Sequence, residues 1–263
     1  MYLTANNTRV YYRDEGTGPP ILFLHGNPDS ADLWNGVISP LRAQFRCLAV
    51  DLPGFARSAA PPAFDGSLEQ EAAWVDGVVT ALGITEPLHL VAHDFGGHFG
   101  LAWAITHPAK VRRIALSNTS FFANYRWHGL GRLLRVPLVG EVVMALTNET
   151  GLVRSLRGVA PRLTVETIRH TAQLYTPAAK KMALTLYRAA DPARFRGWKD
   201  KLLALTAEVP TCVIWGDLDP FAARTIADRF GAQEVHHLPD VSHWPPAEAP
   251  DEFARLLAAF FAA

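Results

Sequence analysis

Cysteine is scarce: 263 residues contain only Cys47 and Cys212. Two cysteines exclude a disulfide framework and a four-cysteine zinc site. Both lie in apolar runs, where a free thiol packs as a small hydrophobe. A surplus of either charge is also missing. Lys plus Arg is 25 and Asp plus Glu is 25, for a formal net charge of +0, which argues against a nucleic-acid binder. No apolar run reaches the roughly 18–20 residues that a membrane span requires. The longest candidates, Val136–Leu146 and Phe253–Ala263, fall short. Residues Met1–Asn7 lack the basic start and apolar stretch of a secretory signal. These absences together suggest a soluble, cytoplasmic protein. No internal repeat, low-complexity tract, cofactor motif or metal-ligand cluster stands out. His236 and His237 adjoin on an expected strand, so they face opposite sides and cannot chelate one ion together.

What is present is a large apolar fraction, 49%, against 19% charged residues. That balance supports a sizeable buried core. Seven short apolar runs bounded by Gly, Pro or Asp read as strands: Val10–Arg13, Ile21–Leu24, Cys47–Val50, Leu88–Ala92, Ile114–Leu116, Cys212–Trp215 and Glu234–Leu238. Helical patterns lie between them. Ser30 is the expected cap of a helix through Leu41. Ser67 and Gln70 have the spacing of a capping box ahead of a helix to Leu82. Asp251–Phe261 forms a last amphipathic pattern. Such alternation predicts an α/β fold with a mostly parallel sheet and helices on both faces. Residues 120–205 differ. They show helical periodicity, no strand run, and 14 Lys/Arg against 5 Asp/Glu. We read them as a helical cap (lid) inserted in a core made of 1–119 and 206–263.

Ligands of such sheets bind beyond the carboxyl ends of the strands. Five motifs fall there: His25-Gly26-Asn27-Pro28, Asp51-Leu52-Pro53-Gly54, Ala92-His93-Asp94-Phe95-Gly96, Gly216-Asp217-Leu218-Asp219 and Ser242-His243-Trp244. The third has the small–x–nucleophile–x–small form of a strand-to-helix elbow, with Asp94 where a serine usually stands. The order nucleophile, acid, histidine then reads Asp94, Asp219, His243. A carboxylate is already anionic at neutral pH and needs no base to attack. It suits displacement at a saturated carbon or opening of a strained ring. The histidine then activates water against the resulting ester, and backbone N–H groups of Asn27 and Phe95 are the expected donors to the oxyanion.

With these five motifs in this order, the chain resembles the α/β-hydrolase superfamily over nearly its whole length. Its Asp elbow resembles the branch of haloalkane dehalogenases and epoxide hydrolases. The resemblance implies a helical cap after the sixth strand, no cofactor or metal, and a small apolar organic substrate with water as co-substrate. Haloalkane dehalogenases are similar at His25–Pro28, where an Asn in place of Asn27 donates to the departing halide. The start of their cap is similar to Tyr125-Arg126-Trp127-His128. They usually place Trp directly after the nucleophile; Phe95 has no N–H to offer, and Trp127 is the candidate substitute. Haloacetate dehalogenases carry Arg at positions matching Phe95 and His98, which this chain lacks. Epoxide hydrolases need phenol donors from the cap, for which Tyr125, Tyr175 and Tyr187 are candidates. Some dehalogenases take the acid from the previous loop, where Asn118 stands here without a charge, so Asp219 is the expected acid. Hydrolytic dehalogenation is the first reading and epoxide hydrolysis the second. Haloacid dehalogenation, cofactor-free oxygenation and slow ligand sensing remain further alternatives. We expect His25 and His93 to be structural, and Asp51 and Asp240 to bond backbone in their loops.

Overall fold

A computed structural model describes residues 1–263. Eight strands form one sheet: β1 (Tyr2–Ala5), β2 (Thr8–Glu15), β3 (Pro20–Leu24), β4 (Arg46–Val50), β5 (Leu88–His93), β6 (Val111–Ser117), β7 (Thr211–Gly216) and β8 (Glu234–Leu238). Their order is β1-β2-β4-β3-β5-β6-β7-β8. β2 pairs antiparallel with both β1 and β4, and all later neighbours pair in parallel. The central strands β3, β5 and β7 are buried along their whole length. Continuous apolar runs suit a sheet covered on both faces. β1 escapes the sequence pattern because it is a short edge strand. Its hairpin signal was nevertheless present: Asn6 and Asn7 form the two-residue loop, both at positive φ (50° and 57°).

The helices are α1 (Asn35–Leu41), α2 (Leu68–Ala81), α3 (Phe95–Thr106), α4 (Gly129–Arg135), α5 (Val139–Leu146), α6 (Glu149–Val159), α7 (Val165–Leu174), α8 (Pro177–Ala189), α9 (Trp198–Glu208), α10 (Pro245–Glu248) and α11 (Pro250–Ala262). α2, α3 and α9 cover one face; α1 and α11 pack together on the other. Ser30 accepts from the Asp32 N–H as expected, although a 3₁₀ turn, Ala31–Trp34, precedes α1. The capping box at Ser67 does not form. Asp65 accepts the Ser67 N–H, and Gln70 accepts the Asp65 N–H, each at 2.8 Å. The carboxylate of Asp65 is a stronger acceptor than the Gln70 amide oxygen and takes the Ser67 N–H first.

Residues 120–205 hold helices and no strand, with α4–α8 lying over the carboxyl ends of the strands. The expected boundary at 205/206 falls inside α9, whose buried Trp198, Leu202 and Leu205 pack it with α3. A 3₁₀ turn, Pro192–Phe195, and Gly197 separate α9 from α8. No helix is long and apolar enough to cross a membrane.

Candidate active site

Asp94 ends β5 at φ 51° and ψ −125°, a conformation that costs an L residue on the order of 1–3 kcal/mol. Close packing around the turn holds it there. A Cβ on Gly96 would lie 2.3 Å from the Leu24 carbonyl oxygen, and one on Gly26 would lie 2.2 Å from Asp94 Oδ1. Only glycine fits at either point. The Thr119 hydroxyl donates to the Asp94 carbonyl at 2.6 Å. The Asn27 backbone N–H donates to Asp94 Oδ1 at 2.8 Å. Phe95 opens α3, so its N–H is among the first-turn donors with no acceptor inside the helix.

His243 joins the two carboxylates. Its Nδ1 donates to Asp219 Oδ2 at 2.7 Å, and its Nε2 stands 3.5 Å from Asp94 Oδ2. Asp219 lies behind the imidazole, fully buried, and accepts from the N–H groups of Phe221 (2.7 Å) and Ala222 (3.0 Å). Asn118 Nδ2 donates to Asp219 Oδ2 at 2.8 Å, while Asn118 Oδ1 accepts the Gly216 N–H. Asn118 thus serves the acid as a clamp, a role that its place in the sequence did not announce. Burial disfavours both carboxylate charges, but His243 outweighs it and holds Asp94 and Asp219 below the usual carboxylate range. Burial also disfavours the imidazolium, but Asp219 first and Asp94 second outweigh it and raise the His243 pKa. Asp217 points elsewhere and meets His237 at 2.6 Å.

The neighbouring histidines hold the loops. His25 Nε2 accepts the Leu52 N–H at 2.9 Å while Nδ1 lies 2.7 Å from the Gly26 carbonyl. His93 Nε2 lies 2.8 Å from the His243 carbonyl, and burial lowers its pKa to about 4, so it donates as a neutral ring. Asp51 accepts the N–H groups of Ala31 and Arg57, together with the Arg57 side chain. Asp240 differs from expectation. It is exposed, 3.8 Å from Arg162, because a backbone bond from Val241 to Leu238 closes its turn.

Above Asp94 lies a cavity of about 280 Å³. Asn27, Phe95, His98, Tyr125, Trp127, Tyr175, Tyr187 and His243 all line it; Asp219 does not. Phe221 and Met144, which the sequence motifs did not single out, also line it, as does Trp244 beside His243. No Lys or Arg reaches the wall, so the positive charge of 120–205 faces away from it. Burial takes His98 down to about 4, leaving it neutral. Burial also raises the pKa of Tyr125, Tyr175 and Tyr187, so all three keep their protons. Two are engaged: Tyr125 donates to the Phe221 carbonyl at 3.0 Å and Tyr175 to Met144 Sδ at 3.5 Å. Trp127 Nε1 and Asn27 Oδ1 are buried without a partner. They are two of nine such atoms in the protein, and the two whose residues line the cavity.

No metal-ligand cluster was expected, yet the β7–β8 register brings together Cys212, Glu234 and His236. The group is not at the cavity. Burial pushes the Cys212 thiol up to about 12.

The profile of the α/β-hydrolase fold matches residues 19–250. The chain belongs to the α/β-hydrolase family. Within that family it is 30% identical to haloalkane dehalogenase 2 of Mycobacterium tuberculosis, over 96% of this chain and 91% of the relative. Mouse epoxide hydrolase 3 is 24% identical, over 97% of this chain and 74% of its own length. The crystal structure of a putative ancestral haloalkane dehalogenase superposes with a TM-score of 0.82 at 25% identity, covering all of both chains.

Proposed function

We propose that this α/β-hydrolase uses Asp94 as a nucleophile toward a saturated carbon of a small apolar substrate, first of all a haloalkane. The observation that carries the reading is the Asp94–His243–Asp219 line beneath an apolar cavity, with the Asp94 carboxylate free to attack. An Asp94 oxygen displaces the halide and forms an alkyl ester. His243 then takes a proton from water, whose oxygen adds to the ester carbonyl carbon. The tetrahedral oxyanion faces the Asn27 N–H and the Phe95 N–H. Collapse releases the alcohol and restores the Asp94 carboxylate.

Esterification also readies the base. Asp94 loses its charge in the ester, so one of the two anions that hold His243 protonated disappears. The imidazole pKa falls at the stage that needs a neutral base. Asp219 keeps the ring oriented and balances the imidazolium formed next. For the halide, the orphan Trp127 N–H and the Asn27 amide are the proposed donors. The bare cationless wall disfavours a carboxylate substrate and hence haloacids.

A second reading, epoxide opening, is favoured by Tyr187. Its hydroxyl holds its proton, lines the cavity and faces the Asn27 side chain. Such a phenol suits protonation of an opening oxide. The His243→Ala variant separates these readings. Lacking the base, it is expected to accumulate an ester on Asp94 when incubated with haloalkane or epoxide pools. Intact mass then reads the substrate less HX for dehalogenation, or the whole epoxide for ring opening. No adduct from either pool would overturn both.

A further inference from the structure

Seven of the ten large apolar side chains exposed in this protein lie between Leu130 and Leu146. They concentrate on α4 and α5. Helix α5 is apolar on both sides: Val143 and Met144 face the cavity, while Val139, Val142 and Leu146 form a stripe at helical spacing toward solvent. A helix apolar all round is normally buried within a protein or in lipid. Here the outer stripe is bare, with Leu138 79%, Val142 58% and Leu146 74% exposed. Leu138 even holds its large side chain out from a backbone at φ 66°, a region that disfavours bulky residues.

Charge indicates what covers the stripe. The single acid on these two helices, Glu141, is held bidentately by Arg188. Arg132 on α4, with Arg154 and Arg157 on α6, is exposed and makes no ion pair. Since no Lys or Arg lines the cavity, this positive charge is directed outward. Exposed apolar side chains with free arginines on the same helix pair and on the helix that follows it complement an anionic lipid surface. The same helices wall the cavity: Leu130 is both exposed and part of its lining.

We propose that α4 and α5 dock this protein on the surface of an anionic bilayer, without spanning it, and place the cavity wall against the lipid. An apolar substrate dissolved in the membrane then has a short path to Asp94.

Co-sedimentation of the full chain with vesicles tests this independently of any catalytic activity. Phosphatidylcholine vesicles containing phosphatidylserine are expected to bind the protein at least about tenfold better than phosphatidylcholine alone, since each arginine near the surface contributes about fivefold. Raised salt should weaken that binding. The triple variant Leu138→Asp, Val142→Asp, Leu146→Asp should lose it by at least about tenfold. None of these three lines the cavity. Circular dichroism checks the fold of the variant, and the single Leu146→Asp repeats the test if the triple does not fold. Equal binding to both vesicle types overturns the proposal. So does failure to bind either, and so does self-association in vesicle-free buffer that the variant abolishes, which would assign the stripe to a second copy of the chain.

Discussion

Replacing Trp127 with phenylalanine removes one indole N–H and leaves an aromatic ring in place. Its ring stacks toward Phe95 at 6.4 Å, meets Tyr187 at 5.1 Å and lies under Arg135 at 5.5 Å. Phenylalanine keeps most of this packing, so the stability cost is expected near 1–2 kcal/mol, from the smaller volume. The N–H is buried and unpartnered without substrate, so removing it leaves no acceptor orphaned. If it binds the departing halide, its loss raises the displacement barrier by about 2–4 kcal/mol. That corresponds to about 30- to 1,000-fold in rate. The assay is single-turnover halide release from a haloalkane, beside diol formation from an epoxide on the same variant. The expected result is a large fall for the haloalkane and less than about threefold for the epoxide. An unchanged halide rate, or an equal fall for both, would refute the assignment of Trp127 to the leaving group.

Two further outcomes follow from buried polar groups. Asn118→Ala removes the donor to Asp219 and strands the Gly216 N–H. Stability should fall by about 2–4 kcal/mol in urea unfolding, and ester hydrolysis should slow more than ester formation, because Asp219 serves the base. Asp29 is the other case. Burial raises its pKa from 3.8 to about 7, against the opposing hydrogen bond from Trp244. A raised carboxylate costs stability as pH climbs: the unfolded chain releases its proton near 4 and the folded one near 7. Stability should therefore decline across that window and level off above it. Asp29→Asn should abolish the decline, gaining on the order of 2–4 kcal/mol at about pH 8 and nothing below about pH 4, as read by denaturant titration.

Much of the fold was legible because burial on both faces writes itself as continuous apolar runs. β3, β5 and β7 were readable for that reason, as was the C-terminal helix from its amphipathic stripe. Edge strand β1 was not, since only Ala5 of its four residues is buried and no apolar run results. At the site, the elbow was readable because sterics restrict it to small residues at 92 and 96. The Asn118 clamp was not readable, because it depends on a loop 101 residues away in sequence. Sequence spacing also gave no means of telling which tyrosine hydroxyls are free. Tyr125 donates to the Phe221 carbonyl and Tyr175 to Met144, while Tyr187 faces Asn27, a difference set by tertiary contacts.

The central claim is that Asp94 itself forms the bond to carbon, and isotope placement tests it most directly. Excess enzyme should be allowed a single turnover in ¹⁸O-labelled water, then digested, and the peptide carrying Asp94 weighed. If water attacks the ester carbonyl, one labelled oxygen enters the Asp94 carboxylate and the alcohol or diol leaves with an unlabelled oxygen from the enzyme. Label in the product with none in Asp94 would mean that water attacks substrate directly, and the covalent mechanism would be wrong.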